Sequence, residues 1–597
     1  MWVANVQPLF DTHCVKCHGP LEQKSGLELD TPEAVFKGGD EGKVVIPGKP
    51  EESRIYQYLA PKADPHMPPK KQLSEREISQ VKDWILALGT DSSKEVKSEG
   101  RQFASVTEAV NEYMAEGWQK RGIKPAEALN EREWCRRVFL DLVGRIPKKT
   151  EVQEFLASTS SSKREELVDR LIASKEYPVR MRELWDVFLM GRGKRDGHEE
   201  RRSKNGWWSF LEYSFRENRP WNETVREFLV ARPTEDELKG AYWFLFERRD
   251  AHQAIAEAVS PVVYGTRIDC AQCHDHPLAR EIKQGHYWGL VAAFNRSKNV
   301  KDEGVSESAI GGYVNFTNLK KESQPAIVAL LTGKTVPETW PAGDQKEEDA
   351  DDKYVDPKAK LRVPKFSRRE AFAEAATHDN PLLARAFVNR MWAVYMGRGL
   401  VHPVDEMNAR NVPSHPELLN WLAEDFSKSG YDIKRLIRGL VLSRVYANSH
   451  CDAPAEGFAA AIERPLTAEQ LAASWRIAAG TSKWDPNLRK ATVGALPDVL
   501  PKEYNATFQQ AQFLENSAAL AELLKPADGN TAETLLKLDN ADEVILEAFE
   551  AVHGRVPDTE EIKAAQSFLE ERGENKNAAV RDLLWALMTS AEFLTMP

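Results

Sequence analysis

Two short stretches of the sequence place cysteine and histidine at the same spacing. CVKCH runs from Cys14 to His18, and CAQCH runs from Cys270 to His274. With six cysteines and 13 histidines in 597 residues, two copies are not expected by chance. Two thiols at this spacing can form thioethers with a haem edge, and the histidine that follows can bind the iron. The spacing therefore predicts two covalently bound haem c groups.

The first motif has a second feature of a haem site further along the chain. Cys14 and Cys17 are the expected thioether residues, and His18 is the expected iron ligand. A sixth ligand should come from a later loop, and the Pro-rich stretch DPHMPPK offers Met67, with His66 as the rival. A Met/His pair raises the reduction potential, which suits electron transfer. A zinc knuckle would need two more ligands at close spacing.

Three interpretations compete at the second motif. In the first, Cys270 and Cys273 hold a second haem and His274 binds its iron. In the second, both cysteines bind a metal ion with two of His274, His276 and His286. The third is a purely structural cluster. The first motif favours haem, because the machinery that attaches haem there would also meet the second copy.

No Met-Pro-Pro loop follows the second motif, so its sixth ligand is open. The candidates are His286, His252, His415 and Met407. Arg267, just upstream, could pair with a haem propionate.

An open iron site could bind and activate a small molecule, with nearby acidic groups lining its pocket. The candidate catalytic residues are Asp275 and His276 beside the motif, and the pair Asp405 and Glu406. Asp275 and His276 could equally support the iron ligand or contact the propionates.

Helices must position both motifs. Ser74 and Glu77 form a capping box for a helix whose apolar stripe includes Trp84, and we expect Phe10 to pack near Trp84. Periodicity of 3.6 residues continues from 105 to 300, and helices resume after Ser367. Between them, GGYVNFTNL, AIVALLTGKTV and KLRVPKF are typical of short strands.

An internal repeat lies in the helical part. FLDLVGRIPKKTEVQEFL, from Phe139, matches FEAVHGRVPDTEEIKAAQSFL, from Phe549. The copies continue to SKEY at Ser174 and SAEF at Ser590. Each copy predicts a helix that ends at Gly and a second that begins with acidic residues after Pro. A helical hairpin that occurs twice in one chain is typical of a structural scaffold and not of an active site.

Composition narrows the class of protein. The chain has 42% hydrophobic and 29% charged residues and a net charge of −11, which fits several globular domains. No long basic run occurs, so nucleic acid is not an expected partner. No stretch has the roughly 18 apolar residues of a membrane span. Cys135 and Cys451, outside both motifs, are expected to be buried small hydrophobes.

Residues around the motifs resemble a known family. SGLELDTPEAVFKGGDEGKVVIPGKPEESRIYQYL, followed by HMPP, resembles the planctomycete-type cytochrome c domain. RRVFLDLVGRIP, LVDRLIAS and CAQCHDHP resemble the second, cytochrome-associated domain, and NPLLARAFVNRMWAVYMGRGLVHPVDEMNARNVPSHPELLNWLA resembles its usual partner domain. The resemblance implies an exported, periplasmic protein whose signal peptide has been removed, and it implies a link to polysaccharide metabolism.

We therefore predict a mainly α protein: a small class I-like cytochrome c domain, then a large helical body with a small β-rich insertion. The predicted segments are a cytochrome c domain, a linker, a helical domain with the second motif, the insertion and a helical C-terminal domain, at 1–90, 91–104, 105–300, 301–365 and 366–597. The expected function is electron transfer between two haems and a redox partner protein. The chain would act as an oxidoreductase (dehydrogenase or peroxidase-like) or as one of its subunits, with a carbohydrate-related substrate. The alternatives are a non-catalytic haem-containing binding or assembly protein, and haem at the first motif with a metal at the second.

Overall fold

Most of the 597-residue chain is described by the computed structural model. The described ranges are 6–19, 22–88, 101–192, 197–277, 279, 281–341, 347–378, 380–451, 456–481, 486–496, 499–500, 507–527, 529–573 and 575–597. Residues 91–100 of the predicted linker lie outside them. Within these ranges, no helix combines the length and the apolar character needed to cross a membrane.

The N-terminal part is a small group of helices with a core of its own. Its helices are α1 (Gln7–His13), α2 (Pro32–Lys37), α3 (Arg54–Gln57) and α4 (Glu75–Ala87). Ser74 and Glu77 form the expected capping box at α4. Phe10 packs edge-on against Trp84, with ring centroids 6.4 Å apart. Thus α1, which leads into the first motif, is held against α4.

The described residues of the segment that contains the second motif are mostly helical. Its helices are α5 (Val106–Arg121), α6 (Glu131–Val143), α7 (Lys149–Ala157), α8 (Lys163–Ile172), α9 (Glu176–Met190), α10 (His198–Lys204), α11 (Trp207–Arg216), α12 (Trp221–Val230), α13 (Trp243–Phe246), α14 (His252–Val263) and α15 (Gln284–Phe294). The second motif lies between α14 and α15. The prediction of a mainly α protein is confirmed.

The β structure is smaller than the sequence patterns predict. Antiparallel β1 (Ser297–Val300) and β2 (Gly304–Glu307) form one hairpin, and β3 (Asn315–Thr317) and β4 (Ser323–Pro325) form another. Of the three predicted strand segments, only GGYVNFTNL contains a strand, β3. AIVALLTGKTV and KLRVPKF form isolated bridges instead, at Ala329–Thr335 and Tyr354–Pro364. Their short extended pieces lack neighbours long enough to continue a ladder.

Helices fill the rest of the chain. They are α16 (Arg368–His378), α17 (Pro381–Met396), α18 (Pro416–Lys428), α19 (Ile433–Val441), α20 (Ala468–Ala478), α21 (Pro486–Ala495), α22 (Phe508–Asn516), α23 (Ala518–Leu523), α24 (Thr531–Leu536), α25 (Ala541–Val552), α26 (Thr559–Glu571), α27 (Lys576–Met588) and α28 (Ala591–Leu594). Helices α5 to α19 share the largest core, and α20 to α28 pack mostly around another. Cys135 is buried as expected, but Cys451 is exposed, so that prediction was wrong for Cys451.

The internal repeat is built around one arginine in each copy. Arg145 donates to Glu151 in the first turn of α7 (2.7 Å) and to Glu176 at the start of α9 (2.6 Å). Arg555 does the same with Glu561 in α26 and with Glu592 in α28, at 2.6 Å each. The two copies also share a backbone conformation. Gly144 and Gly554 both turn the chain at positive φ, which glycine adopts readily. The repeated sequence therefore produces the same set of ion pairs between helices in both copies, which we call the repeat clamp.

The two copies differ in burial, and this difference can be tested. The Arg145 side chain is 8% exposed and that of Arg555 is 28% exposed. We expect Arg145→Ala to lower the free energy of unfolding by about 2–3 kcal/mol, because it removes a nearly buried guanidinium group whose charge-assisted hydrogen bonds join α7 and α9. We expect Arg555→Ala, the matched control, to cost about 1 kcal/mol or less. Urea unfolding followed by tryptophan fluorescence measures both, and equal losses would contradict this account of the clamp.

Candidate haem sites

The first motif is a tight turn that extends α1. Cys14 and Val15 both donate their backbone N–H to Phe10 O, at 2.8 and 2.9 Å. His18 then donates its N–H to Cys14 O at 2.9 Å. Cys14 is half-buried against the N-terminal core, and this burial raises the pKa of its thiol to about 12. The core of the N-terminal part therefore determines where the first thiol lies.

The imidazole of His18 is oriented by a backbone carbonyl. Its Nδ1 lies 3.1 Å from Lys24 O, so Nδ1 carries the proton in this hydrogen bond. Nε2 then keeps its lone pair, which is the arrangement that a histidine ligand of a metal requires. Leu29 N–H donates to His18 O at 2.7 Å and holds the backbone as well.

The Pro-rich loop distinguishes its two candidate ligands. Met67 is half-buried, and its backbone N–H donates to Tyr58 O at 2.8 Å. The neighbouring His66 uses Nε2 in a 2.9 Å hydrogen bond with Gln72 Oε1. A histidine that donates Nε2–H to an amide oxygen has no lone pair there for iron. These contacts favour Met67 as the sixth ligand.

Backbone contacts hold the segment that leads into the second motif. Gly265 turns the chain out of α14 at φ +68°, and a Cβ there would lie 2.5 Å from Met407 Cε. Thr266 pairs with Glu406 in an isolated bridge. Arg267 N–H donates to Asp405 O (2.8 Å), and Met407 N–H donates to Gly265 O (2.9 Å). The loop after α17 thus holds the segment that enters the motif.

The motif itself presents its cysteines outward. It forms one 3-10 turn in which Ile268 and Ala271 are fully buried, while Cys270 and Cys273 are exposed. His274 Nδ1 lies 2.7 Å from the carbonyl oxygen of Asp275. As at His18, this contact leaves Nε2 with a lone pair.

Asp275 and His276 have structural partners around the start of α15. Asp275 Oδ1 accepts the Gln284 N–H at 2.9 Å. His276 Nδ1 accepts the Ala279 N–H at 2.8 Å, and burial lowers the pKa of its ring. Trp288 Nε1 donates to Gln272 O at 2.9 Å, so α15 also holds the motif's backbone. These contacts fit supporting roles for both candidates.

Two candidate sixth ligands already use a ring nitrogen. His286 Nδ1 accepts the Lys283 N–H at 3.0 Å, which leaves the proton of a neutral ring on Nε2. His252 Nε2 lies 3.0 Å from Ser297 O and donates to it. Either side chain would have to give up a hydrogen bond to bind iron through Nε2.

The other two candidates occupy different parts of the body. His415 is buried at the start of α18 against Phe458, with ring centroids 6.0 Å apart, and burial lowers its pKa to about 4. Met407 is half-buried and contacts Gly265, as described above. Of the four candidates, Met407 is held directly against the segment that enters the motif.

Arg267, Asp405 and Glu406 share one cavity. Its volume is about 330 Å³, and Arg390 of α17 and His402 also line it. Asp405 forms an ion pair with Arg390. The acidic pair therefore lies beside the segment that enters the second motif, but one of its carboxylates already has a buried cation as partner.

The donor sets at both motifs fit covalently attached haem. All four motif cysteines are free thiols, and both motif histidines keep Nε2 available. Among the described residues, no three side chains of His, Cys, Asp or Glu are grouped to hold a metal ion. This observation counts against the alternative of a metal ion bound directly by Cys270, Cys273 and two histidines.

One contact between the two motif regions has no counterpart in the sequence patterns. Arg410, in the loop that clamps the second motif, forms a 2.6 Å ion pair with Asp11, three residues before Cys14. Arg410 is also among the charges that act on the ring of His276. No local motif surrounds Arg410, so sequence reasoning had no signal for this pair.

Three family models match the chain. Planctomycete cytochrome C matches residues 14–71 and thus includes the first motif and Met67. A family described as protein of unknown function (DUF1549) matches residues 109–299, which include the second motif. A further protein of unknown function (DUF1553) matches residues 368–493, which include the clamping loop. No curated protein and no solved structure matches the chain.

The choice between Met67 and His66 can be tested by paired substitutions. We expect Met67→Ala to lower the reduction potential of the first haem by a measurable fraction of the roughly 0.8 V range that axial ligands span. We expect the thioether-to-iron absorption band to disappear with it. His66→Ala, the adjacent control, should leave potential and band unchanged. Redox titration and absorption spectra measure both, and the reverse pattern would assign the ligand to His66.

Proposed function

We propose that this chain, which matches the family models of Planctomycete cytochrome C, DUF1549 and DUF1553, is an exported two-haem c-type cytochrome that acts in electron transfer. Its N-terminal part is a cytochrome c domain with haem c. A second haem on Cys270, Cys273 and His274, and export to the periplasm, belong to the proposal.

The observation that carries the proposal is the position of the loop after α17. This loop clamps the chain that enters the second motif, through the bridge between Thr266 and Glu406. A few residues later, Arg410 pairs with Asp11 beside the first motif. Ala409 N–H also donates to Glu281, close behind the second motif, at 2.6 Å. Contacts from a single loop to both motif regions support transfer within one chain.

The haem supplies a one-electron carrier at each motif, and the protein sets its position and potential. At the first motif, His18 and Met67 would hold the iron, a pair that favours a high potential. At the second motif, His274 is the expected ligand, and two candidates for a sixth ligand, His286 and His252, already use a ring nitrogen in hydrogen bonds within the protein. We propose that the second site is the one open to a small molecule, and that any oxidoreductase chemistry takes place there.

Residues of this chain would then have distinct tasks at the second site. Arg267 would pair with a propionate, and Asp275 and His276 would hold the turn that carries His274. Asp405, paired with Arg390, and Glu406 would line the adjoining cavity of about 330 Å³. The link to polysaccharides and a carbohydrate-related substrate rests on family resemblance alone and stays a prediction.

The haem count tests the central proposal. We expect two haems per full-length chain, measured as the pyridine haemochrome together with intact mass. Cys270→Ser/Cys273→Ser should lose one haem and keep the first haem's spectrum, because the motifs lie in separately packed regions. Cys451→Ser, at an exposed cysteine outside both motifs, should keep two. One haem per wild-type chain, or one haem with one zinc, would overturn the proposal.

Ligand binding tests the open second site. We expect carbon monoxide to bind the reduced wild-type protein at one haem per chain, and the Cys270→Ser/Cys273→Ser variant to lose that binding. The reason is that Met67 occupies the far side of the first iron in this proposal. Binding at neither haem would contradict the open site and leave the haem count untouched.

The contact between Asp11 and Arg410 offers a test of transfer within the chain. We expect Asp11→Lys or Arg410→Glu to slow electron equilibration between the haems, by at most about fivefold, because a partly exposed ion pair stabilises by about 1 kcal/mol or less. The double variant Asp11→Lys/Arg410→Glu restores opposite charges and should recover the rate. Flash photolysis with spectral resolution of the haems measures it. Unchanged rates in both single variants would show that this contact plays no part.

A further inference from the structure

A large cavity lies away from both motifs. It has a volume of about 810 Å³ and is lined by α9, α10, α20 and α21 and by the turn at Gly144. Its described lining includes eight arginine or lysine residues and four glutamates. A cavity of this size is large enough for a small organic molecule. Its excess of positive charge indicates an anionic ligand.

Several of the cavity's arginines already have carboxylate partners. Arg192 forms an ion pair with the buried Glu469. Arg489 forms an ion pair with Glu199. Arg145 is held by its two glutamates in the repeat clamp. These side chains form a charged wall whose charges are largely compensated within the protein.

Arg180 is different. Its side chain lines the cavity, yet the residue is only 3% exposed. Among the described residues, its Nε and Nη1 have no hydrogen-bond acceptor. Leaving buried guanidinium nitrogens without acceptors is costly, and arginine does not lose its proton at neutral pH. The hydrogen-bonding capacity of Nε and Nη1 is therefore not used by any described residue.

The acidic neighbours Glu183, Asp141 and Glu469 act on Arg180 through their charge, but none of them accepts a hydrogen bond from its Nε or Nη1. Glu183 follows one turn later on α9, and burial raises the pKa of its carboxyl group, which favours the neutral form. Gly144 leaves space above the Arg180 side chain, because a Cβ at this glycine would lie 3.0 Å from Arg180 Cδ. The cavity wall is thus shaped around the guanidinium.

We propose that this cavity binds a small organic anion and that Arg180 donates hydrogen bonds to its oxyanion group, a carboxylate, sulfate or phosphate. Arg182 and Arg489 extend the positive wall beside Trp208, whose ring they cover at 4.3 and 5.7 Å from its centroid. The site is separate from the haem sites, so it can be tested without reference to electron transfer.

The test uses the full-length, haem-loaded protein and three probes at matched ionic strength: sodium sulfate, sodium phosphate and sodium citrate, with sodium chloride as reference. We expect calorimetry to show saturable binding of at least one probe, with one site per chain. The three arms distinguish which oxyanion the site prefers. Wild-type protein that binds none of them beyond chloride would overturn the proposal.

Variants then locate the site. Arg180→Met should weaken binding by at least about tenfold, because it removes charge-assisted hydrogen bonds. Without anion, it should leave the thermal unfolding temperature unchanged or raise it, whereas loss of a purely structural arginine would lower it. Arg201→Met, at an exposed arginine on α10 outside the lining, should bind like wild type.

A second substitution at the same position keeps the proposal testable if the Arg180→Met variant does not fold. Arg180→Lys keeps the charge and loses the planar fork, so it should bind with intermediate affinity. Wild-type affinity in both Arg180→Met and Arg180→Lys would overturn the assignment of Arg180, whatever the probe.

Discussion

The packing of the helical body depends on one constraint: a buried guanidinium group needs hydrogen-bond acceptors. An arginine removed from water without partners costs several kcal/mol, so its hydrogen bonds restrict which segments can pack together. Arg369 is fully buried and donates to Ser297 Oγ (3.0 Å) and Val305 O (3.2 Å), which holds the β1–β2 hairpin on α16. Arg137 donates to Tyr446 O at 2.6 Å and joins α6 to the segment after α19. Contacts of this kind connect parts of the chain that lie far apart in sequence.

Arg180 differs from these arginines. Its Nε and Nη1 have no acceptor among the described residues, and its side chain borders a cavity. Helix α9 lines two cavities: Arg180 and Glu183 border the large one, while Val187 and Phe188 border the one beside Arg267. Arg180 and Val187 are about two turns apart, roughly 10 Å along the helix axis. An anion bound at Arg180 would therefore lie on the same helix as the wall of the proposed open haem site. Helix α9 would then connect the proposed anion site with the proposed second haem site.

The two haem motifs share their local chemistry and differ in their surroundings. At both, the histidine is oriented by a backbone carbonyl, Lys24 O in one case and Asp275 O in the other. The first pair of cysteines is half-buried against a small core, while the second pair is exposed on a clamped turn. Burial and axial ligands tune a haem's potential, so identical motifs need not act alike. That contrast favours a carrier at one site and reactivity at the other.

The sequence by itself determined what depends on neighbours along the chain. The haem motifs, the capping box at Ser74, the repeated clamp around Arg145 and Arg555 and the mainly α class are all local patterns, and each can be read from spacing. The tertiary structure decided the rest, because it depends on contacts between distant residues. Cys451 is exposed despite its type, two predicted strands form only isolated bridges, and Arg410 pairs with Asp11, 399 positions away in the sequence. Whether a buried guanidinium nitrogen finds an acceptor, as Nη1 of Arg369 does and Nη1 of Arg180 does not, is likewise decided only when the helices pack.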